Sequence, residues 1–326
     1  MNVFVTGAAG FIGSVVTEQL IAQGHQVVAF DNLSTGHREA VHPDAIFVEG
    51  DLLDDEQLRL ALMNHPVDAV IHLAAEALID VSNVDPGRSF RVNVCGGLNL
   101  LEAMVAVGVK RIVFSSSAAV YGLPHRIPIT EDHPLEPINA YGDSKLAFER
   151  MLFWYHQAHD FRYVCLRYFN VCGASEQRGE DRKVETHLIP VAFEVALGRR
   201  DHVELYGTDY ATRDGTCVRD YVHVVDIARA HLLVLEHIDR LNARAYNLGT
   251  GTGYSNLEVL DAVRRVTGRN IKVVPVGRRP GDPDVLVASS AAIQADLGWK
   301  PLYSDLETMI ESAWRWRLNH PNGYSK

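Results

Sequence analysis

Short apolar runs alternating with helical stretches constrain this chain more than anything else in it. "NVFVT" (2–6), "QVVAFD" (26–31), "AIFVEGD" (45–51), "DAVIHLAA" (68–75), "RIVFSSS" (111–117) and "RYVCLRYFN" (162–170) read as six strands. Between them lie "GFIGSVVTEQLIAQG", closing near Gly24, then "DDEQLRLALMN" (54–64) with acids in its first turn, and "NVCGGLNLLEAMVAVG" (93–108), closed by Gly108. These read as helices. Strands apolar along both faces need helices above and below, and parallel neighbours need crossovers long enough to hold a helix. The pattern predicts a doubly wound, mostly parallel α/β sheet.

After Asn170 the rhythm breaks. Residues 173–187 are polar and without period, which predicts a long loop. Beyond it we expect a helix at about 188–197, a strand in "VELYG", a loop over "TDYATRDGTCVRD" and a helix at 225–238. A strand in "AYNLG", a helix at 256–267, a strand in "IKVVPV" and two terminal helices complete the reading.

Composition narrows the class. The chain has 326 residues, 47% apolar and 22% charged, ordinary for a soluble enzyme with a sizeable core. Its net charge of −10 argues against general nucleic-acid binding and suits the cytoplasm. Cys95, Cys165, Cys172 and Cys217 are far apart with no C-x-x-C, so we expect reduced thiols. No basic, apolar and cleavable leader precedes the first strand, and no uninterrupted apolar run approaches ~20 residues, so neither a leader nor a membrane span is expected. The 15 histidines fall in no ligand spacing, and no metal is expected.

The turn after the first strand carries the first chemical signal. "TGAAGFIG" places Gly7, Gly10 and Gly13 between a strand and a helix. Glycines there let backbone N–H groups approach a pyrophosphate at the positive end of the helix. Asp31 ends the second strand 18 residues after Gly13, where a carboxylate can accept from ribose hydroxyls and would repel a 2′-phosphate. NAD is therefore favoured over NADP, with Arg38 the one nearby cation that argues otherwise. Asp51, after the third strand, is either an acceptor for the adenine amino group or a cap of the following turn. The expected fold is thus a Rossmann-type sheet with a smaller C-terminal substrate-binding lobe. Residues 1–170 plus about 219–250 would form the NAD-binding domain, and about 171–218 plus 251–326 the lobe.

The second signal is Tyr141 and Lys145, four residues apart on one face of a helix. A phenol has a pKa near 10, and lowering it to neutrality takes about 4 kcal/mol. An ammonium ~6 Å away at an effective dielectric of ~20 supplies about 3 kcal/mol, and an oxidised nicotinamide ring would supply the rest. The lysine could also hold the nicotinamide ribose. Ser117 ends the fifth strand 24 residues before Tyr141, on the edge where ligands bind in open α/β sheets. There it could bond a substrate hydroxyl and share its proton with the phenol. Three serines at a strand end could also be only a turn.

Together, Gly7, Gly10, Gly13, Asp31, "HLAA", Ser117, Tyr141 and Lys145 resemble the extended short-chain dehydrogenases/reductases. "DNLSTGHREAV", "LRYFNVCGA", "GED…ETHLIP", "DYATRDGTCVRDYVHVVD" and "RRPGDP" extend the likeness over nearly the whole chain, toward the UDP-glucose (UDP-galactose) 4-epimerases of that family. The resemblance implies an NAD-dependent isomerase that oxidises the sugar at C4, lets the 4-keto sugar turn over, and reduces it on the other face. Tyr141 would take the 4-hydroxyl proton, helped by Ser117. It further implies dinucleotide contacts from Phe11, Ile12, Asn32, Ser34 and Leu52, and from Leu73, Ala74, Ala75, Asn93 and Tyr168. For the UDP-sugar it implies Asn170, His187 and Leu188 at the diphosphate, Arg219 and Arg279 on phosphate oxygens, Tyr206 against uracil and Asp282 at the ribose. Read alone, Arg219 would be an ion pair with Asp220, and Tyr206 a core residue. A homodimer through the helices near 93–108 and 141–158 is implied as well.

Departures from the pattern matter. "EALIDVS" (76–82) follows "HLAA" where relatives differ, so contacts near Ala77 are open. Ala118 and Ala119 stand where nucleotide-sugar dehydratases and decarboxylases carry an acid, leaving proton and hydride shuttling at C4. Leu286 stands where relatives admit or exclude N-acetylated sugars, and its bulk predicts exclusion. Alternatives are a 4-epimerase of another UDP-sugar (arabinose/xylose, glucuronate or N-acetylhexosamine) and a non-catalytic NAD-binding regulator.

Overall fold

The computed structural model describes residues 1–279 and 281–324; Pro280, within "RRPGDP", lies outside them. In chain order the elements are β1 (Asn2–Thr6), α1 (Phe11–Ala22), β2 (Gln26–Asp31), β3 (Ile46–Glu49), α2 (Asp55–Met63) and β4 (Ala69–His72). Then come α3 (Ile79–Val84), α4 (Pro86–Phe90), a π-helical turn (Arg91–Cys95), α5 (Gly96–Val107), β5 (Arg111–Ser117) and a 3-10 turn (Ala118–Tyr121). α6 (Ala140–His159), β6 (Arg162–Tyr168), β7 (Asn170–Cys172), α7 (Leu188–Ala196) and β8 (Val203–Tyr206) follow. Last are β9 (Val218–His223), α8 (Val224–Leu241), β10 (Arg244–Leu248), β11 (Gly253–Ser255), α9 (Asn256–Thr267), β12 (Val273–Val276), β13 (Val285–Leu286), α10 (Ala291–Leu297) and α11 (Leu306–Asn319).

The packing separates two units. The first holds residues 1–123, 134–168 and 228–246; the second holds 124–133, 169–227 and 247–326. Residues 219–227 thus cluster with the second unit, as does the segment 124–133.

The seven-stranded sheet runs β10-β6-β5-β4-β1-β2-β3, and its pairs from β6 through β3 are parallel. β4 is buried throughout and β1 nearly so, as the continuous apolar runs require. One core cluster fills the α2–α5–α6 face: Phe4, Phe30, Leu58, Leu100, Phe114 and Phe148 are its larger members. All crossovers bring strand C-termini to one edge, so Gly7, Asp31, Leu73 and Ser117 share that edge.

Two readings are corrected here. Strand four stops at His72, so Leu73–Ala75 form loop. The helix expected from residue 93 is continuous with α4 through the π-turn, and the run Pro86–Val107 is long and apolar enough to cross a membrane. Counting uninterrupted apolar residues overlooked it because Arg88 and Arg91 interrupt the run. Its C-terminal part buries Gly96, Gly97, Leu100, Leu101, Ala103 and Met104 in the core against α2, as a core helix does.

In the second unit β9 is the hub. β11 pairs with it antiparallel, and β7 and β13 pair with it parallel. β8 and β12 form a separate parallel pair. Ile189, Phe193, Leu205, Leu260, Val263 and Ile310 knit α7, α9, α11 and β8 into a second core. The sequence reading took Val218–Asp220 for loop because Arg and Asp inside a strand look solvated. The structure instead buries all six residues of β9. Asp220, wholly buried, accepts from Thr250, Gly251 and Ala288, so its charge is matched by N–H and O–H donors rather than by Arg219. Arg219 pairs with Asp282 at 3.5 Å, which corrects the Arg219–Asp220 alternative.

Candidate active site

Gly7 adopts φ +70°, and a Cβ there would lie 2.6 Å from the Ala74 nitrogen. A Cβ on Gly13 would lie 2.0 Å from the Gly7 carbonyl oxygen. The turn is therefore closed around bare backbone. Gly10 is the N-cap of α1; it offers no side-chain cap, and the first turn carries no acid, so the N–H groups and positive end beside Phe11 and Ile12 are suited to an anion. Thr6 braces the turn from below: its Oγ accepts from the Leu73 and Ala74 amides and bonds His72 Nδ1 at 2.7 Å.

Asp31 is buried at the end of β2. Its Oδ2 accepts from the Ala9 amide (3.0 Å) and its Oδ1 from Leu33 (2.8 Å). Burial raises its pKa, and those two bonds oppose the rise. The carboxylate so tied keeps outer lone pairs for hydroxyl donors. Asn32 donates to Asp51 at 2.9 Å and accepts from the Ser34 amide. Asp51 also accepts from the Leu53 amide at 2.9 Å, so the turn-capping alternative describes a bond the structure contains. Arg38 stacks on Phe47, 4.2 Å from its ring centre. Leu52 is buried against Gly96.

Asn93 is buried and fully engaged. It donates to the Glu76 carbonyl and Ser144 Oγ and accepts from the Glu76 amide. It thereby holds the segment after Ala75, and Glu76 itself pairs with Arg88 at 2.7 Å. Tyr168 is buried, its hydroxyl 2.6 Å from His231 Nε2; burial pushes its pKa up.

Ser117 caps the 3-10 turn, its Oγ accepting from the Ala119 amide at 3.1 Å; as acceptor there, it retains its O–H to donate. Asn139 caps α6 by accepting from Gly142, and a Cβ on Gly142 would lie 2.4 Å from the Ala119 carbonyl oxygen. This contact seats the first turn of α6, and Tyr141 with it, on the turn that follows Ser117. Lys145 is 2% exposed. Its Nζ donates to the Ser115 carbonyl at 2.8 Å and stands 5.9 Å from the Tyr141 ring centre. Phenol and amine thus lie on the same side of the helix. The amine's charge is costly there: burial lowers the Lys145 pKa to about 7, with Glu149 opposing the fall.

The sequence reading missed Glu149 and Arg167. Glu149 lies one turn beyond Lys145, a spacing legible from the start, and Arg167 interrupts an otherwise apolar strand. Both are buried, and they pair at 2.6 Å.

In the second unit, Asn170 opens β7 opposite Tyr221 of β9. His187 is the N-cap of α7, which Leu188 begins. Glu185 accepts from the His187 amide (2.8 Å) and bonds its Nδ1 (2.9 Å), and Glu180 lies 3.3 Å from the same nitrogen. Burial alone would lower the His187 pKa; the two carboxylates outweigh it and raise it. Glu180, Glu185 and His187 place ligand-type atoms within 4.8 Å of one another, a cluster the reading of spacings overlooked. Within that cluster Arg182 engages Glu180 at 2.8 Å. Arg219 donates to the Val218 and Pro283 carbonyls, so backbone and Asp282 aim its guanidinium. Arg279 stacks on the half-buried Tyr206, 3.9 Å from its ring centre, and Tyr206 donates to Glu204. Leu286 sits on β13 opposite Arg219.

A family model described as the NAD dependent epimerase/dehydratase family matches residues 3–249. UDP-glucose 4-epimerase of Lacticaseibacillus casei is 48% identical over 327 residues, covering 99% of each chain. That of Streptococcus mutans is 49% identical over 329 residues, again covering 99% of each. The crystal structure of UDP-glucose 4-epimerase from Bifidobacterium longum in complex with NAD+ and UDP superposes with a TM-score of 0.95 at 38% identity, covering 99% of this chain and 100% of that one. The chain belongs to the NAD dependent epimerase/dehydratase family.

Proposed function

We propose that the protein interconverts UDP-glucose and UDP-galactose by oxidising the sugar at C4, letting the 4-keto sugar turn over, and reducing it on the opposite face. The observation that carries this reading is the buried amine of Lys145 beside the Tyr141 ring, at the end of β5, in a chain with alanine at 118 and 119. A phenolate and no additional acid suits C4 proton transfer rather than elimination or decarboxylation.

The glycine turn, the uncapped start of α1 and Asp31 fit a dinucleotide without a 2′-phosphate. NAD, when bound, supplies the acceptor and donor of the C4 hydride. Gly7, Gly10, Phe11, Ile12 and Gly13 would hold its pyrophosphate. Asp31, Asn32 and Ser34 would hold the adenosine ribose, with Asp51 and Leu52 at the adenine. Leu73, Ala74, Ala75, Asn93 and Tyr168 would border the remainder, and Lys145 the nicotinamide ribose. Tyr141 takes the 4-hydroxyl proton while Ser117 bonds the same oxygen, and Tyr141 returns the proton after turnover of the sugar.

The nucleotide must be gripped while the sugar is free to rotate. Arg219 and Arg279 suit the phosphates, with Asn170, His187 and Leu188 beside them. Tyr206 offers a stacking face for uracil and Asp282 an acceptor for the ribose. The Arg279–Tyr206 stack supports this grouping. Purified protein given UDP-galactose and no added nucleotide should yield UDP-glucose, with partial absorbance of reduced nicotinamide. UDP-N-acetylgalactosamine should turn over far more slowly, because of Leu286. Absence of both product and absorbance would leave only a non-catalytic NAD-binding protein.

The protein is further proposed to act as a homodimer in the cytoplasm. Leu98 on α5 and Phe153 and Trp154 on α6 are exposed at 43%, 44% and 66%, apolar side chains that a second copy would cover. Sedimentation should give twice the chain mass, and Trp154→Glu should halve it; a wild-type monomer at micromolar concentration would contradict the dimer.

A further inference from the structure

The first unit contains a buried charge network that the mechanism above leaves unused. Glu149 follows Lys145 by one helical turn and is 8% exposed. Arg167 of β6 is 4% exposed and meets it with two bonds, Nε to Oε1 at 3.0 Å and an Nη to Oε2 at 2.6 Å. Ser116 donates to the same Oε1 at 2.5 Å. The other Nη of Arg167 donates to Tyr121 Oη at 2.8 Å, in the turn that Ser117 caps. Ser116 and Arg167 are also register partners across β5 and β6. The network therefore ties together α6, β5, β6 and the 3-10 turn at the edge that bears Ser117, Tyr141 and Lys145.

A buried ion pair gains little for stability over apolar residues of like volume, because desolvation offsets its attraction. A second role is more informative. The surroundings of Lys145 offer its charge little else. His72 faces it from β4, and burial with Lys145 itself lowers that imidazole's pKa to about 3, so it is neutral. Tyr163 and Cys165 on β6 face Glu149, and burial raises both, so they add no charge at neutral pH. Phe114 presents its ring face 4.9 Å from the amine. Glu149 is the carboxylate that opposes the desolvation of Lys145.

We infer that Glu149 is a positioning residue of the proton-transfer set: its carboxylate keeps Lys145 charged and, braced by Arg167, fixes Ser116 next to Ser117. The inference rests on Tyr141 being the base and deepens that reading. Without the carboxylate, Lys145 gives up its proton at lower pH and no longer lowers the phenol, so the acid limb of the pH–rate profile moves upward.

The test is the pH dependence of epimerisation, together with the ultraviolet titration of phenolate, in Glu149→Gln and in Glu149→Gln/Arg167→Gln. The double variant also removes the Arg167 charge that the single one would leave buried without its partner, should the single one fold poorly. Both should show the acid limb and the phenolate transition raised by about one pH unit, hence roughly tenfold lower turnover at pH 7 that recovers near pH 9. Glu149→Asp, which restores a carboxylate, should return the limb toward the wild-type position. A uniform loss at every pH, an unmoved transition, or failure of both glutamine variants to fold would overturn the inference and leave the pair a structural one. Full activity in Tyr141→Phe would instead overturn the underlying reading.

Discussion

Replacing Tyr141 by Phe should reduce turnover by about a thousandfold, within the 10²–10⁴ range ascribed to a positioned acid–base group. The ring stays, so the seat of α6 on the turn after Ser117 and the packing around Lys145 should be preserved. The lost atom is the oxygen that exchanges the sugar proton. UDP binding and retained NAD should therefore be close to wild type, and the melting temperature little changed. The check is steady-state kinetics beside calorimetric titration with UDP. Equal losses in binding and turnover would mean that the phenol only holds substrate, and unaltered turnover would remove it from the chemistry. The burial of Lys145 sharpens the expectation. With its pKa lowered to about 7, the ammonium is partly populated at neutral pH; its pull on the phenol weakens as pH rises, but the falling proton concentration keeps the phenol ionised, so turnover should level off above 7 rather than fall. Below neutrality the phenol reprotonates, and turnover should fall.

Gly13→Ala should have the second largest effect. The added carbon would stand 2.0 Å from the Gly7 carbonyl oxygen and 2.9 Å from the Ala8 Cα, all backbone atoms with no rotamer to yield. Either the glycine turn opens or the start of α1 moves. Both spoil the cradle for pyrophosphate, and overpacking of this kind costs roughly 1–3 kcal/mol. The purified variant should carry little NAD, melt several degrees lower and show almost no turnover without added cofactor. The control is Gly24→Ala, at φ +82° but with no neighbour within 4 Å, which should be milder and leave NAD content unchanged. NAD content and melting temperature unchanged in Gly13→Ala would refute the tight turn.

Much of the first unit was legible because its signals are local. An apolar run buried on both faces can be read from a few residues, and Gly7, Gly10 and Gly13 declare a turn that excludes side chains. Ser117, Tyr141 and Lys145 were legible from spacing and strand ends. Their energetics were not: the reading took the ammonium for granted, whereas its charge depends on Glu149 and hence on Arg167, brought alongside from β6. The second unit was less legible for a related reason. β9 carries Arg219 and Asp220, which look solvated in sequence but are satisfied by contacts up to 68 residues away. β7, β11 and β13 are two or three residues long, too short for any periodicity to register.

The central claim is that a buried lysine makes the Tyr141 hydroxyl acidic enough to serve as a base near neutrality. Ultraviolet titration of tyrosinate in the purified, NAD-containing wild type and in Tyr141→Phe measures it directly. One tyrosine ionising at about pH 7, absent from the Phe variant, is the result expected from an ammonium 5.9 Å from the ring. Identical titrations in the two proteins, with no tyrosine ionising below about pH 9, would contradict it.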